Sequence, residues 1–196
     1  KGIERSDSVV LDPHKSLFLP YGTGALLVRD VETLRRSHEM HSHYIAEVRA
    51  GGRTTPSFAD ISPEMTRDFR GLRVWLPLKM LGARAFASAL DEKLDLAAWA
   101  ADQLAALPGV ELIDRPQLST VAFRLNGRDP ERADAAAREV LERVNRGRRV
   151  HLSSSVIEAR FVLRICILSF RVHRADVEAC LAELRSALAV VHSPEA

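Results

Sequence analysis

The stretch LDPHKSLFLPYGTGALLVRD, residues 11–30, constrains this chain most, because it sets a lysine on a break between two apolar runs. Val9, Val10 and Leu11 read as the end of a buried strand. Asp12-Pro13 then stops the strand, since proline supplies no ladder donor and biases its predecessor toward extended geometry. Pro20, Gly22 and Gly24 supply turn residues, and Ala25, Leu26, Leu27 and Val28 read as the neighbouring strand. Lys15 is therefore expected on a turn between two buried strands. Two readings of it stand side by side. Most lysines are solvated surface residues; alternatively, an amine partly out of water or near other cations loses its proton more readily and can form an imine with a carbonyl cofactor. His14 beside it suits a phosphate or a ring.

Composition limits the alternatives. The 196 residues are 46% hydrophobic, enough for a sizeable core and one or two compact units. With 28 basic against 26 acidic residues, no strong field for nucleic acid or membrane follows. The longest basic cluster, Arg146-Gly147-Arg148-Arg149, reads as a solvated helix end, because cations favour helix C-termini. Cys166 and Cys180 are the only cysteines, with neither a disulfide framework nor a zinc pattern. No apolar run is long enough for a membrane span and no signal peptide is evident, so a soluble, cytoplasmic protein is the default expectation.

In chain order, Asp30 is a good N-cap for a short helix toward His38. Residues from about 39 to 65 are interrupted by Gly51, Gly52, Pro56 and Pro63, and a loop of that length suits a functional lid or disorder. His38, His41 and His43 lack the spacing and carboxylates of a metal site and read as solvated. GTGALL lacks the third glycine and the following helix of a dinucleotide fingerprint, so a turn is expected there. From Phe69 the period becomes helical, with Leu72, Trp75, Leu76, Lys79, Met80 and Ala83 recurring, bent at Pro77 and loosened at Gly82. A second amphipathic helix, residues 83–107, carries Phe86, Leu90, Leu94, Ala97, Ala98, Ala101 and Leu104 on one face. Trp75 and Phe86 are expected in the core.

Beyond Gly109 the pattern is strand 110–113, strand 120–125, helix 130–145, strand 150–155, strand 161–168 and helix 175–191. Two hairpin-like pairs, each followed by a helix, suit an antiparallel sheet covered on one face. Asp176 reads as a first-turn charge. Arg164 is either an edge-strand charge or a residue facing a cleft.

SDSVVLDPHKSLFLPYGTGALLVRD closely resembles the lysine segment of the group II pyridoxal-phosphate-dependent amino-acid decarboxylases, the family of aromatic-amino-acid, histidine and glutamate decarboxylases. DFRGLRVWLPLKMLG at 68–82, RRVHLSSS at 148–155 and RFVLRICILS at 160–169 resemble further segments of that family in the same order. The resemblance implies an α/β chain of fold type I. Residues 1–82 would end the cofactor-binding large domain, with a mobile loop at about 39–65; a helix at 83–108 would connect it to a small α+β C-terminal domain at 109–196. The abrupt start at Lys1 suits the C-terminal part of a longer enzyme whose remaining cofactor-binding residues lie upstream.

By the same resemblance, Lys15 would hold pyridoxal 5'-phosphate as an imine, His14 would contact its phosphate end and Asp12 would lie by the phosphate. The substrate would be an L-amino acid losing carbon dioxide, in a site formed across a homodimer. In the aromatic-amino-acid branch the mobile loop carries a tyrosine that returns a proton to the substrate carbon, and a gapless count back from Arg70 places Phe58 there. Phenylalanine donates no proton, and in related aldehyde synthases the same replacement accompanies oxidative deamination; Tyr44 is the nearest alternative donor. Three functions remain open: decarboxylation, another pyridoxal-phosphate reaction such as oxidative deamination or transamination, and an inactive truncated piece.

Overall fold

The computed structural model describes residues 2–38 and 58–192. His41, His43, Tyr44 and most of the expected lid lie outside them. The chain divides into two compact units, the first comprising residues 1–15 and 19–80, the second residues 16–18 and 81–196.

In the first unit, β1 (Ser8–Leu11) pairs antiparallel with β2 (Ala25–Val28), Leu11 opposite Ala25. Between them α1 (Pro13–Ser16) is a single helical turn carrying His14 and Lys15. Proline suits its first position, where the missing N–H leaves no bond unmade. Helix α2 (Val31–His38) begins where Asp30 Oδ1 accepts the Glu32 amide at 3.0 Å and Oδ2 accepts the Thr33 hydroxyl, the N-cap the sequence indicates. A 3-10 turn at Phe58–Asp60 precedes α3 (Leu72–Leu81), which contains Pro77.

Two expectations of burial fail in this unit. Val10 is 72% exposed and Leu27 57%, although their run reads as an interior strand. Continuous apolar residues belong to a strand covered on both faces, whereas this sheet has two strands and no helix layer over either face among the described residues. Trp75, expected in the core, is 57% exposed, and no residue of α3 is buried. Its apolar face likewise finds no cover among the described residues.

The second unit has the expected antiparallel sheet, in the order β3-β4-β6-β5. Its strands are β3 (Val110–Leu112), β4 (Thr120–Leu125), β5 (Ser153–Ile157) and β6 (Arg160–Cys166). Helices α4 (Ala83–Ala105) and α5 (Pro130–Arg146) pack with it, and α6 (Arg174–His192) packs against those two helices. Alternate residues Val121, Phe123 and Leu125 of β4 and Phe161, Leu163 and Ile165 of β6 enter one core with Leu104, Val140 and Leu184 of the helices. Each such side chain contributes about 1.5–3 kcal/mol of apolar burial before entropy is subtracted. Because β6 lies between β4 and β5, the edge-strand reading of Arg164 is wrong; it sits half-buried opposite the core-facing residues.

The buried face of α4 differs from the expected one. Lys93, Leu96, Ala97, Ala100, Ala101 and Leu104 are inside, while Leu94 is 40% exposed. Phe86 is only half-buried. β5 begins three residues later than the expected Val150, because Asn145 binds both the amide (2.8 Å) and the carbonyl (3.0 Å) of Leu152 and holds that residue out of the ladder. The β5–β6 hairpin then closes through Glu158 and Ala159, both with positive φ (50° and 61°), as a two-residue primed turn requires.

Candidate active site

Lys15 belongs to a turn whose backbone is closed twice. Its own amide donates to the Asp12 carbonyl (2.9 Å), and the Leu19 amide reaches back to the Pro13 carbonyl (3.2 Å). Pro13 and Leu19 are buried, so the ends of the turn are anchored while Lys15 between them is free of the core. Phe18 makes the reversal possible with φ 56°. A left-handed residue after the last helical turn is usually glycine, and for a bulky side chain that backbone costs about 1–2 kcal/mol.

The side chains of the turn meet specific partners. Lys15 Nζ lies 2.6 Å from Asp12 Oδ2, with the lysine side chain 63% exposed. The hydrogen bond and charge of Asp12 raise the lysine pKa above its ordinary value, and Lys15 in turn lowers that of Asp12. This corrects the desolvated-amine expectation. The strands beside the turn are largely exposed, so burial does not drive off the proton and the carboxylate retains it.

His14 Nδ1 is 2.7 Å from the Thr23 carbonyl oxygen. A carbonyl only accepts, so Nδ1 carries the hydrogen and Nε2 is the ring atom available to a ligand. Thr23 is 1% exposed, with its hydroxyl donating to the Pro20 carbonyl at 2.8 Å. The Tyr21 ring stands edge-on to His14, centroids 5.0 Å apart. Gly22, with φ 80°, turns the chain between Tyr21 and Thr23. From the first turn of α3, Arg73 donates to the Tyr21 carbonyl (3.3 Å) and to Asp68 (3.0 Å). A side chain on Gly22 would crowd the Arg73 guanidinium at 3.3 Å.

The structure thus brings Asp12, His14 and Lys15 together on one turn. Phe58 is not joined to them: it is 68% exposed, and its ring contact is with the Arg67 guanidinium, 5.2 Å from the centroid. Sequence reasoning missed Thr23, Arg73 and Phe18. The first is foreshadowed by the turn residues around it, and the second by the arginine-rich DFRGLR string. Phe18 gives no signal, since phenylalanine is the wrong residue for a left-handed position. Among the described residues no cluster of metal-ligating side chains occurs, and no helix is long and apolar enough to cross a membrane.

The residues present fit pyridoxal phosphate in their chemistry. A primary amine sits on a backbone-locked turn, exposed enough to be reached by an aldehyde, and the adjacent imidazole has one ring nitrogen free. Asp12 as a carboxylate only accepts hydrogen bonds, and its partner here is Lys15.

Comparison with known proteins agrees. The sequence model of the pyridoxal-dependent decarboxylase conserved domain matches residues 1–126, and the chain belongs to that family. It is 32% identical over 175 residues to an aromatic-L-amino-acid decarboxylase of Bacillus atrophaeus, an alignment covering 87% of this chain and 36% of that one. Among solved structures, that of Oryza sativa TDC with PLP and tryptamine superposes with a TM-score of 0.89 at 24% identity, covering 98% of this chain and 41% of that one. That of Rhodiola rosea 4-hydroxyphenylacetaldehyde synthase does so with a TM-score of 0.86 at 20% identity, covering 98% and 39%. These structural likenesses establish a shared fold. The chain therefore spans well under half the length of the relatives it matches.

Proposed function

We propose that this chain carries the lysine segment and small domain of a pyridoxal-phosphate-dependent decarboxylase acting on an L-amino acid. The single observation that carries the reading is the Lys15 turn, where an exposed amine is fixed by backbone closure beside an imidazole whose tautomer Thr23 sets. Lys15 Nζ would hold the cofactor through its aldehyde group, and the amine, when free, could carry a proton for return to the substrate. His14 Nε2 meets the phosphate end, where a hydrogen bond to the anion requires the ring to be protonated, because Nδ1 already serves Thr23. Asp12, the counter-ion of Lys15, would lie by the phosphate end. The bound cofactor supplies the electron sink that lets the carboxylate leave as carbon dioxide.

The exposed apolar faces of β1, β2 and α3 support further cofactor-domain structure and a homodimer around this segment. Two free cysteines suit the reducing cytoplasm. Residues 1–82, 83–108 and 109–196 serve in this reading as the end of the large domain, the connecting helix and the small domain.

The test is reductive trapping. The protein is incubated with pyridoxal phosphate, reduced with borohydride and mapped by mass spectrometry, then supplied with L-amino acids while carbon dioxide and amine are followed. A cofactor adduct on Lys15 with amine release supports the reading, and trapping confined to other lysines sinks it.

Phe58 favours one second reading. Where a tyrosine would donate a proton, phenylalanine would leave the substrate carbon open to dioxygen, so that one dioxygen and one water are consumed and an aldehyde, carbon dioxide, ammonia and hydrogen peroxide are released in place of an amine and carbon dioxide. Phe58→Tyr should shift product from aldehyde to amine; an unchanged ratio removes the second reading.

A further inference from the structure

The lysine turn ends in a residue whose backbone its own side chain disfavours. Phe18, with φ 56°, is an outlier for a bulky residue, and such outliers persist only where the surroundings over-determine them. Residues 16–18 cluster with the second unit, and there the Phe18 ring meets the Phe170 ring edge-on, centroids 6.1 Å apart at 65°. Phe170 lies on the loop between β6 and α6, and that loop is fixed from within. Lys93, 1% exposed, donates to the Val172 carbonyl. Its ammonium also meets Glu92 (2.9 Å), and Glu92 in turn holds His173 Nδ1 at 2.7 Å. His173 and Asp176 then cap α6, the Asp176 carboxylate accepting the His173 amide at 2.8 Å. A buried lysine is otherwise unfavourable in a core helix, so its hold on this loop accounts for it. On the other side the Arg171 guanidinium lies 5.3 Å from the Phe170 ring centroid.

We infer that Phe18 is a positioning residue for Lys15, and that Phe170, clamped by Lys93 through the Val172 carbonyl, holds Phe18 in its left-handed conformation. Phe18 acts through the backbone. With its φ positive the chain reverses and the Leu19 amide reaches the Pro13 carbonyl, which closes the turn bearing Lys15. If Phe18 relaxed to negative φ, that closure would open and the amine would lose its fixed origin. The site that this positions is the one assigned under the proposed function, and the inference rests on that reading for its consequence but not for its geometry.

Amide hydrogen exchange read by NMR on this chain tests the geometry, and borohydride trapping of pyridoxal phosphate on Lys15 tests the consequence. Phe170 is 49% exposed, so truncating it leaves the fold intact. Phe170→Ala should lower protection of the Leu19 amide roughly fivefold and slow Lys15 trapping in parallel, while Phe170→Tyr retains both. Glycine adopts positive φ without help, so in a Phe18→Gly background Phe170→Ala should have no further effect on Leu19. Unchanged Leu19 protection in Phe170→Ala, or an equal fall in the Phe18→Gly background, overturns the inference. Failure of the unsubstituted protein to trap on Lys15 sinks the proposed function instead, and the exchange measurement still decides the positioning role.

Discussion

Lys15 Nζ and Asp12 Oδ2 stand 2.6 Å apart across one helical turn, and that contact raises the pKa of the candidate nucleophile above the ordinary lysine value. The free amine is the form that adds to an aldehyde, so a raised pKa makes the Lys15 amine less available at a given pH. Asp12→Asn removes the bond that raises the lysine pKa, and a larger fraction of Lys15 is then unprotonated at any given pH. The pH profile of Lys15 modification by an aldehyde, followed peptide by peptide, should move to lower pH in the variant. A profile that stays in place would show the contact to be electrostatically idle.

Lys93 is the second charge the structure treats unusually, being 1% exposed inside a helix. Lys93→Met keeps most of the volume but leaves the Val172 carbonyl without its donor. An orphaned carbonyl of that kind costs about 1–3 kcal/mol, measurable by urea unfolding. Equal or greater stability would mean that burying the ammonium costs more than its bonds return.

Asp134 ties α5 to β6, accepting the Phe161 amide and the Arg160 guanidinium, each at 2.9 Å. Burial pushes its carboxyl up, but those donors pull further and leave its pKa below the ordinary value. A folded-state pKa depressed in this way gives stability that is present above the ordinary carboxylate pKa and lost as pH falls through the folded one. Asp134→Ala should cost about 1–3 kcal/mol at neutral pH, and the gap from the unsubstituted protein should narrow in acid. A gap independent of pH would assign the loss to packing.

Cys180 is buried, and burial alone pushes its thiol up to about 11. At pH 8 roughly one thiol in a thousand is then ionised, and the thiolate is the reactive form. Iodoacetamide should leave Cys180 unmodified in the folded protein and modify it in denaturant. Labelling of native Cys180 at the rate of a free thiol would place it outside the core.

The antiparallel unit was largely legible in the sequence because its strands alternate: Val121, Phe123 and Leu125 face in while Thr120, Ala122 and Arg124 do not. Period-two patterning fixes which face is buried. The helix start at Asp30 was legible for a similarly local reason, since a carboxylate before the first turn satisfies its free amides. Register was less so. The late start of β5 depends on Asn145, a contact across a loop that no local pattern announces.

By itself the sequence determined the elements, the two-strand frame around Lys15 and the identity of the residues on that turn, because these depend on neighbours along the chain. Only the tertiary structure decided that the Lys15 ammonium pairs with Asp12, that Lys93 is inside while Leu94 is out, and that Phe18 holds a glycine-like backbone. Each of those is set by a partner, Asp12 across a turn, the Val172 carbonyl or the Phe170 ring. Electrostatics and packing act through space, and the linear pattern carries no record of which groups folding will bring within a few ångströms.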